Sequence, residues 1–214
     1  MTSRVLCFGD SNTYGYNPLD GTRYKENERW SGILKQKLKQ NPKHDFKIVE
    51  AGCNNRTCFS ENPNGEELTG SKIISKYLTN KTDILILALG INDLQFQYNV
   101  TIDGSKNDVK NGLENIIELA YKINNKLNII LLCPTVITND ILFHGYFRCL
   151  FDESSIEKSK KMSKIYYDIA KKYGCFFVDL NEFASVSKTD GLHYDISEHK
   201  KIAQRIYELL KTLN

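Results

Sequence analysis

Two stretches of this chain are apolar without interruption: Ile84-Leu85-Ile86-Leu87-Ala88-Leu89 and Ile129-Ile130-Leu131-Leu132. A strand with one face in water alternates apolar and polar residues, so an unbroken run reads as a strand buried on both faces. Such strands belong to parallel sheets covered by helices on each side. Three more short apolar runs, at 5–8, 46–51 and 175–179, are further strand candidates. Between the runs, apolar residues recur at helical spacing. Trp30, Ile33, Leu34 and Leu38 form one set, and Val109, Leu113, Ile116, Ile117 and Ala120 a second. Met162, Ile165, Tyr166, Ile169 and Ala170 form a third, and Ile202, Ile206, Leu209, Leu210 and Leu213 a fourth. Asp195-x-x-Glu198 resembles a capping box at the start of the last helix, with Ser197 as the alternative cap. This alternation means right-handed crossovers and a three-layer α/β/α architecture around a five-stranded parallel sheet.

At 214 residues the chain suits one domain, 1–214, with no linker or repeat inside it. A chain of this size buries roughly 70–75% of its unfolded surface and can hold a core without metals or disulfides. The hydrophobic share of 41% and charged share of 26% exclude disorder and coiled coil for the bulk of the chain. The net charge of +3 is spread thinly, without a basic block or a nucleic-acid motif, so no nucleic-acid partner is expected. Neither GxGxxG nor GxxxxGK[ST] occurs, which speaks against phosphate binding. No run reaches the ~18 apolar residues of a membrane span. The first apolar run leads straight into Gly9-Asp10-Ser11, so no targeting segment is expected. The six cysteines include no CxxC pair, and Cys7, Cys133 and Cys175 fall inside apolar runs. Reduced thiols and a cytoplasmic location are expected, with no zinc site.

In an open parallel sheet, ligands bind beyond the carboxyl ends of the strands. At those ends the chain places Gly9-Asp10-Ser11-Asn12, then Gly52, then Gly90-Ile91-Asn92-Asp93, and near the C-terminus Asp190-Gly191-Leu192-His193. A hydroxyl, a backbone N–H without a side chain in its way, an amide and an Asp/His pair are the parts of an acyl-transfer site.

These four blocks, in this order, resemble the SGNH (GDSL-type) hydrolase family over the whole chain. Asn12-Thr13-Tyr14-Gly15-Tyr16, Arg29-Trp30 and Asn55-Arg56-Thr57 look like its arylesterase/acyltransferase branch, in which some relatives carry Trp where Tyr14 and Tyr16 stand here. GxSxG is absent, so the chain is not a standard α/β-hydrolase. The resemblance implies a serine esterase acting on small acyl esters, with the flavodoxin-like strand order 2-1-3-4-5. It implies Ser11 as nucleophile, His193 as base and Asp190 as orienting carboxylate. The N–H groups of Ser11 and Gly52 and the Asn92 amide would form the oxyanion hole. No metal or organic cofactor is implied. Carbohydrate O-deacetylase, lysophospholipase and thioesterase activities stay open, as does acyl transfer to an alcohol. A catalytically silent flavodoxin-like binding domain is the alternative of another class.

Each residue also has a plainer reading. Ser11 reads alone as a turn or N-cap serine, Gly52 and Gly90 as turn residues, and Asn92 as an Asx-turn residue. Asp10 reads as a structural residue bonded to its own loop. His44 reads as solvated surface, and His199 as a surface or packing residue. Asp179 ends the fifth run and lacks the local spacing to His193. Asn12, Tyr14, Tyr16, Phe143 and His144 are candidate substrate-binding residues. Tyr14, Tyr16, Phe96, Tyr98, Phe143, Tyr146, Phe147 and Phe151 gather in loops, as a pocket wall, a subunit interface or loop-anchoring core. Two connections, 94–105 and 134–153, are longer than crossovers need. The second predicts a short amphipathic helix, with Leu142, Tyr146 and Cys149 on one side and Phe143, Phe147 and Leu150 on the next. Its apolar surface points to a homo-oligomer.

Overall fold

A computed structural model describes residues 3–40, 45–59, 61–102 and 108–213. His44 and part of the 94–105 connection lie outside the described residues. The strands are β1 (Ser3–Gly9), β2 (Phe46–Gly52), β3 (Ile84–Ala88), β4 (Asn128–Cys133) and β5 (Phe176–Asp179). They form one sheet in the order β2-β1-β3-β4-β5, and every pairing is parallel. The helices are α1 (Ser11–Tyr14), α2 (Trp30–Lys39), α3 (Gly70–Ile73), α4 (Val109–Ile123), α5 (Glu153–Ser159), α6 (Met162–Tyr173) and α7 (Ile196–Thr212).

Successive side chains of a strand point to opposite faces, and the core divides on that rule. Val5, Cys7, Ile84, Ile86, Ile130 and Leu132 pack with Trp30 and Leu34 of α2 and Ile202 and Ile206 of α7. Leu6, Phe8, Leu85, Leu87, Ile129 and Leu131 pack on the other face with Leu113 and Ile116 of α4 and Met162 and Tyr166 of α6. Both faces are covered, which accounts for the unbroken apolar runs of β3 and β4. Among the described residues no helix is long and apolar enough to cross a membrane.

Two expected local features are absent. Asp195 stands at the N-cap of α7 without a side-chain cap bond. Glu198 is drawn elsewhere, to the Ser185 N–H at 3.1 Å and the Lys201 ammonium at 2.9 Å, so no capping box closes. A reciprocal box forms instead at α5, between Asp152 and Ser155. In the 134–153 connection no amphipathic α-helix appears. Two 3-10 turns, Asn139–Phe143 and Phe147–Cys149, take its place. The His144 ring accepts the N–H groups of Tyr146 and Phe147 at 3.3 and 3.2 Å, which withdraws them from a helical ladder. Ile137, Ile141, Phe147 and Phe151 are each buried singly along the segment, anchoring it without a continuous helical face.

Candidate active site

β1 ends at Gly9, and α1 folds back so tightly that a Cβ at Gly9 would lie 2.1 Å from Thr13 Oγ1. Asp10 caps α1, its carboxylate accepting the Asn12 N–H at 2.9 Å. Burial pushes this carboxyl up to about 7, against the lowering effect of that hydrogen bond. Ser11 thus opens the first turn beyond the sheet edge.

The chain returns to the same edge after β5. Asp190 Oδ1 accepts the N–H groups of Leu192 and His193, both at 2.9 Å, closing a turn in which Gly191 has a φ of +70°. Asp190 Oδ2 lies 2.6 Å from His193 Nδ1, and His193 Nε2 lies 2.9 Å from Ser11 Oγ. Burial pushes the Asp190 carboxyl up, but the His193 hydrogen bond, the His193 charge and the two backbone donors together hold it below the usual carboxylate range. Ser11, Asp190 and His193 are all buried.

Asn92 opens the turn after β3. Its Nδ2 donates to the Arg56 carbonyl at 3.2 Å, which fixes the amide plane. The next residue, Asp93, accepts from Phe59 N–H at 2.8 Å and from Cys58 N–H and Sγ at 3.0 Å each. Burial raises the Asp93 pKa although these donors oppose it. Segment 56–59 is therefore strapped to the Asn92 turn. The buried Arg56 guanidinium donates to the carbonyls of Gly9 and Ala51 and stacks 4.5 Å from the Phe8 ring centroid.

Ser11, Asn92 and His193 share one cavity of about 170 Å³ with Tyr16, Asn54, Asn55, Tyr146, Phe147 and Leu192. Several expected site residues are placed differently. Gly52 does not line this cavity. A Cβ there would lie 2.1 Å from the Tyr14 nitrogen, so the glycine lets α1 sit on β2. Asn12 is buried behind Ser11, its Nδ2 donating to the Leu192 carbonyl at 3.3 Å. Tyr14 also lies off the cavity, with the Arg23 guanidinium 4.5 Å from its ring centroid. Phe143 is 83% exposed. His144 stands one layer back, its ring 4.8 Å from that of Phe147. Tyr16 does line the cavity, with its ring centroid 4.2 Å from that of His193.

His199 is a packing residue. It is buried in α7, accepts the Trp30 N–H and meets Tyr24 and Tyr194 edge-on. Burial, then the charges of His193 and Arg29, lower its pKa to about 3. Asp179 accepts from Ser163 and Asn181, away from His193. The lining residues Asn54, Asn55 and Leu192 were not singled out for the site from sequence. The signal available for Asn55 was its type, since its φ of +61° is a conformation that Asn tolerates better than most residues. Among the described residues no cluster of metal-ligating side chains occurs.

The fold is shared with solved structures. The native aryl esterase of M. smegmatis superposes with a TM-score of 0.85 at 23% identity, covering 99% of this chain and 100% of that one. A carbohydrate acetylesterase from Sinorhizobium meliloti gives 0.84 at 23% identity, with the same coverage. An acetylxylan esterase from Geobacillus stearothermophilus, solved as a catalytic mutant, gives 0.65 at 17% identity over 96% of this chain and 93% of that one. At these identities the likeness is one of fold. No curated protein sequence matches the chain. The model of the GDSL-like lipase/acylhydrolase family matches residues 7–199, and the protein belongs to that family.

Proposed function

We propose that this esterase cleaves short-chain acyl esters through an acyl-enzyme on Ser11. The observation that carries the reading is the hydrogen-bonded chain Ser11–His193–Asp190 at the wall of a cavity of about 170 Å³. Ser11 Oγ attacks the ester carbonyl as His193 Nε2 takes its proton. Asp190 holds the Nδ1–H tautomer and stabilises the imidazolium. The Ser11 N–H and the free Nδ2 proton of Asn92 face the developing oxyanion. The third donor, expected at Gly52, is assigned to the Asn54–Asn55 segment, because that segment lines the cavity and Gly52 does not. Protonated His193 then gives its proton to the leaving alkoxide, and water or a second alcohol resolves the acyl-enzyme. No step calls for a metal or an organic cofactor.

Pockets for drug-sized ligands run from about 300 Å³ upward, so this cavity suits a small acyl group rather than a lipid chain. That disfavours the lysophospholipase reading. Asn54, Asn55 and Tyr146 put polar groups on the wall, which favours a polar alcohol such as a sugar and keeps carbohydrate deacetylation as the second reading. A fluorophosphonate probe should label the wild-type protein and not Ser11→Ala, and Ser11→Ala should lose nearly all nitrophenyl acetate hydrolysis. Wild-type turnover by Ser11→Ala would reject the mechanism. Comparing nitrophenyl acetate, nitrophenyl octanoate and acetylated xylose orders the substrate classes.

We also propose a cytoplasmic homo-oligomer. Phe143 at 83% exposure and Tyr146 at 60% both lie on the 134–153 connection, and a second copy of the chain is the occupant assigned to them. Light scattering should return a multiple of the monomer mass, and Phe143→Ser should lower it. A monomeric wild-type protein would reject this.

A further inference from the structure

Taking the proposed Ser11–His193–Asp190 chemistry as its basis, we infer that Tyr16 is a further catalytic residue, its ring face stabilising the positive charge that His193 acquires when it takes the Ser11 proton. The Tyr16 and His193 rings lie 4.2 Å apart between centroids, with 32° between their planes, so the phenol ring covers one face of the imidazole. A cation within about 6 Å of an aromatic centroid is attracted by the negative face of the π-system. His193 is 2% exposed, so bulk water screens that attraction only weakly.

The position of Tyr16 is enforced from two sides. Its backbone bridges to Arg23 across the loop that follows α1. Phe147 packs edge-on against it at 6.0 Å and touches His193 at 5.2 Å, closing a triangle of rings. His144 holds Phe147 in turn, by stacking on it and by accepting its N–H. Two separate connections, from opposite halves of the chain, thus converge to place an aromatic face on the base.

Among the described residues, Asp190 of its own loop and the Ser11 hydroxyl of α1 hydrogen-bond to His193, and Tyr146 of the 134–153 connection lines the same cavity. His199 of α7 is coupled to it electrostatically and stays neutral, with a pKa near 3. Burial and then Asp190, Tyr146 and Asp20 raise the Tyr16 phenol, which keeps it protonated and leaves its ring neutral.

The test is the pH profile of kcat/KM for a series at position 16. Tyr16→Leu keeps apolar volume and removes the π face. Its kcat should fall by about 3- to 30-fold, and the acid limb should move to lower pH by about half to one unit, because the imidazolium has lost a stabilising partner. KM should change little. Tyr16→Phe should hold the limb and recover most of the rate that Tyr16→Leu loses, and Tyr16→Trp, the strongest π donor, should hold the limb at or above its wild-type position. Should Tyr16→Leu fail to fold, Tyr16→Met makes the same comparison. One acid limb shared by all variants, or equal losses in Tyr16→Phe and Tyr16→Leu, would overturn the inference. Fluorophosphonate labelling separates the two levels: labelling lost in Ser11→Ala with an unmoved limb in Tyr16→Leu rejects the role of Tyr16 alone, whereas an active Ser11→Ala rejects the chemistry beneath it.

Discussion

The side-chain amide of Asn12 donates to the carbonyl of Leu192 at 3.3 Å, a bond across 180 positions of sequence. It joins the turn that carries Ser11 to the loop that carries His193. The Asn12 carbonyl accepts the Trp30 indole N–H at 3.1 Å, so the joint is itself anchored in the α2 layer. The 2.9 Å contact between Ser11 and His193 is held by this brace as well as by the sheet.

Asn12→Ala should therefore slacken the contact without removing any reacting atom. Misplacement on the order of 1 Å costs up to about 100-fold in rate. A fall in kcat of about 10- to 100-fold is expected, with KM for nitrophenyl acetate near the wild-type value. A rise in KM with kcat unchanged would instead make Asn12 the substrate-binding residue that its sequence position suggested.

Asp190→Asn keeps the size of the side chain and removes its charge. The two backbone donors, Leu192 and His193, still need an acceptor, so the amide oxygen should remain with them and the NH2 group turn toward His193 Nδ1. The imidazole is then held as the wrong tautomer, with its proton on Nε2. By analogy with other triads, kcat should fall by about 10³- to 10⁴-fold. Stopped assays at neutral pH on the purified variant decide it, and a loss below tenfold would show that Asp190 serves the turn alone.

His199 makes a prediction about stability. Its pKa is lowered to about 3 in the fold, against roughly 6.5 for a free histidine. Its contribution is complete above pH ~6.5 and is lost as the pH falls toward 3, because the unfolded chain takes up a proton that the folded chain refuses. The loss proceeds at up to about 1.4 kcal/mol per pH unit. His199→Asn keeps an acceptor for the Trp30 N–H and cannot titrate. Urea midpoints of wild type and variant should converge or cross between pH 7 and pH 4. Parallel curves would show that His199 does not govern the acid response.

The sheet was legible from sequence because burial on both faces leaves its mark in composition: β3 and β4 allow no polar residue between their ends. The Asp190-x-x-His193 pair was legible because one turn sets its geometry locally. What escaped was decided by competition among loop groups. Nothing in Asp195-x-x-Glu198 announces that Ser185 and Lys201 will claim the glutamate. Nothing in the sequence near His144 announces that its ring will take two backbone N–H groups and dissolve an expected helix. Gly52 carried a glycine signal that two different demands could produce. Close approach was required there by the backbone of α1, while the cavity is lined two and three residues later.

That distinction can be tested at Gly52 itself. A methyl group at this position would meet the Tyr14 nitrogen at 2.1 Å and the Thr13 carbonyl carbon at 2.5 Å. Both are backbone atoms of α1 and cannot rotate aside, so Gly52→Ala must lift α1 or shift β2. Either movement displaces Ser11 and strains the Asn12–Leu192 brace. The variant should lose about 1–3 kcal/mol of stability, typical of overpacking, and most of its activity. Asn55→Gly relaxes a φ of +61° and leaves the strand contact alone, so it should fold at least as well as wild type. Its remaining kcat then reports how far the Asn55 segment needs its own side chain to hold the oxyanion donor in place. If Gly52→Ala kept wild-type stability and lost only kcat, the glycine would be acting on the oxyanion directly, and the assignment of the third donor to Asn54–Asn55 would fall.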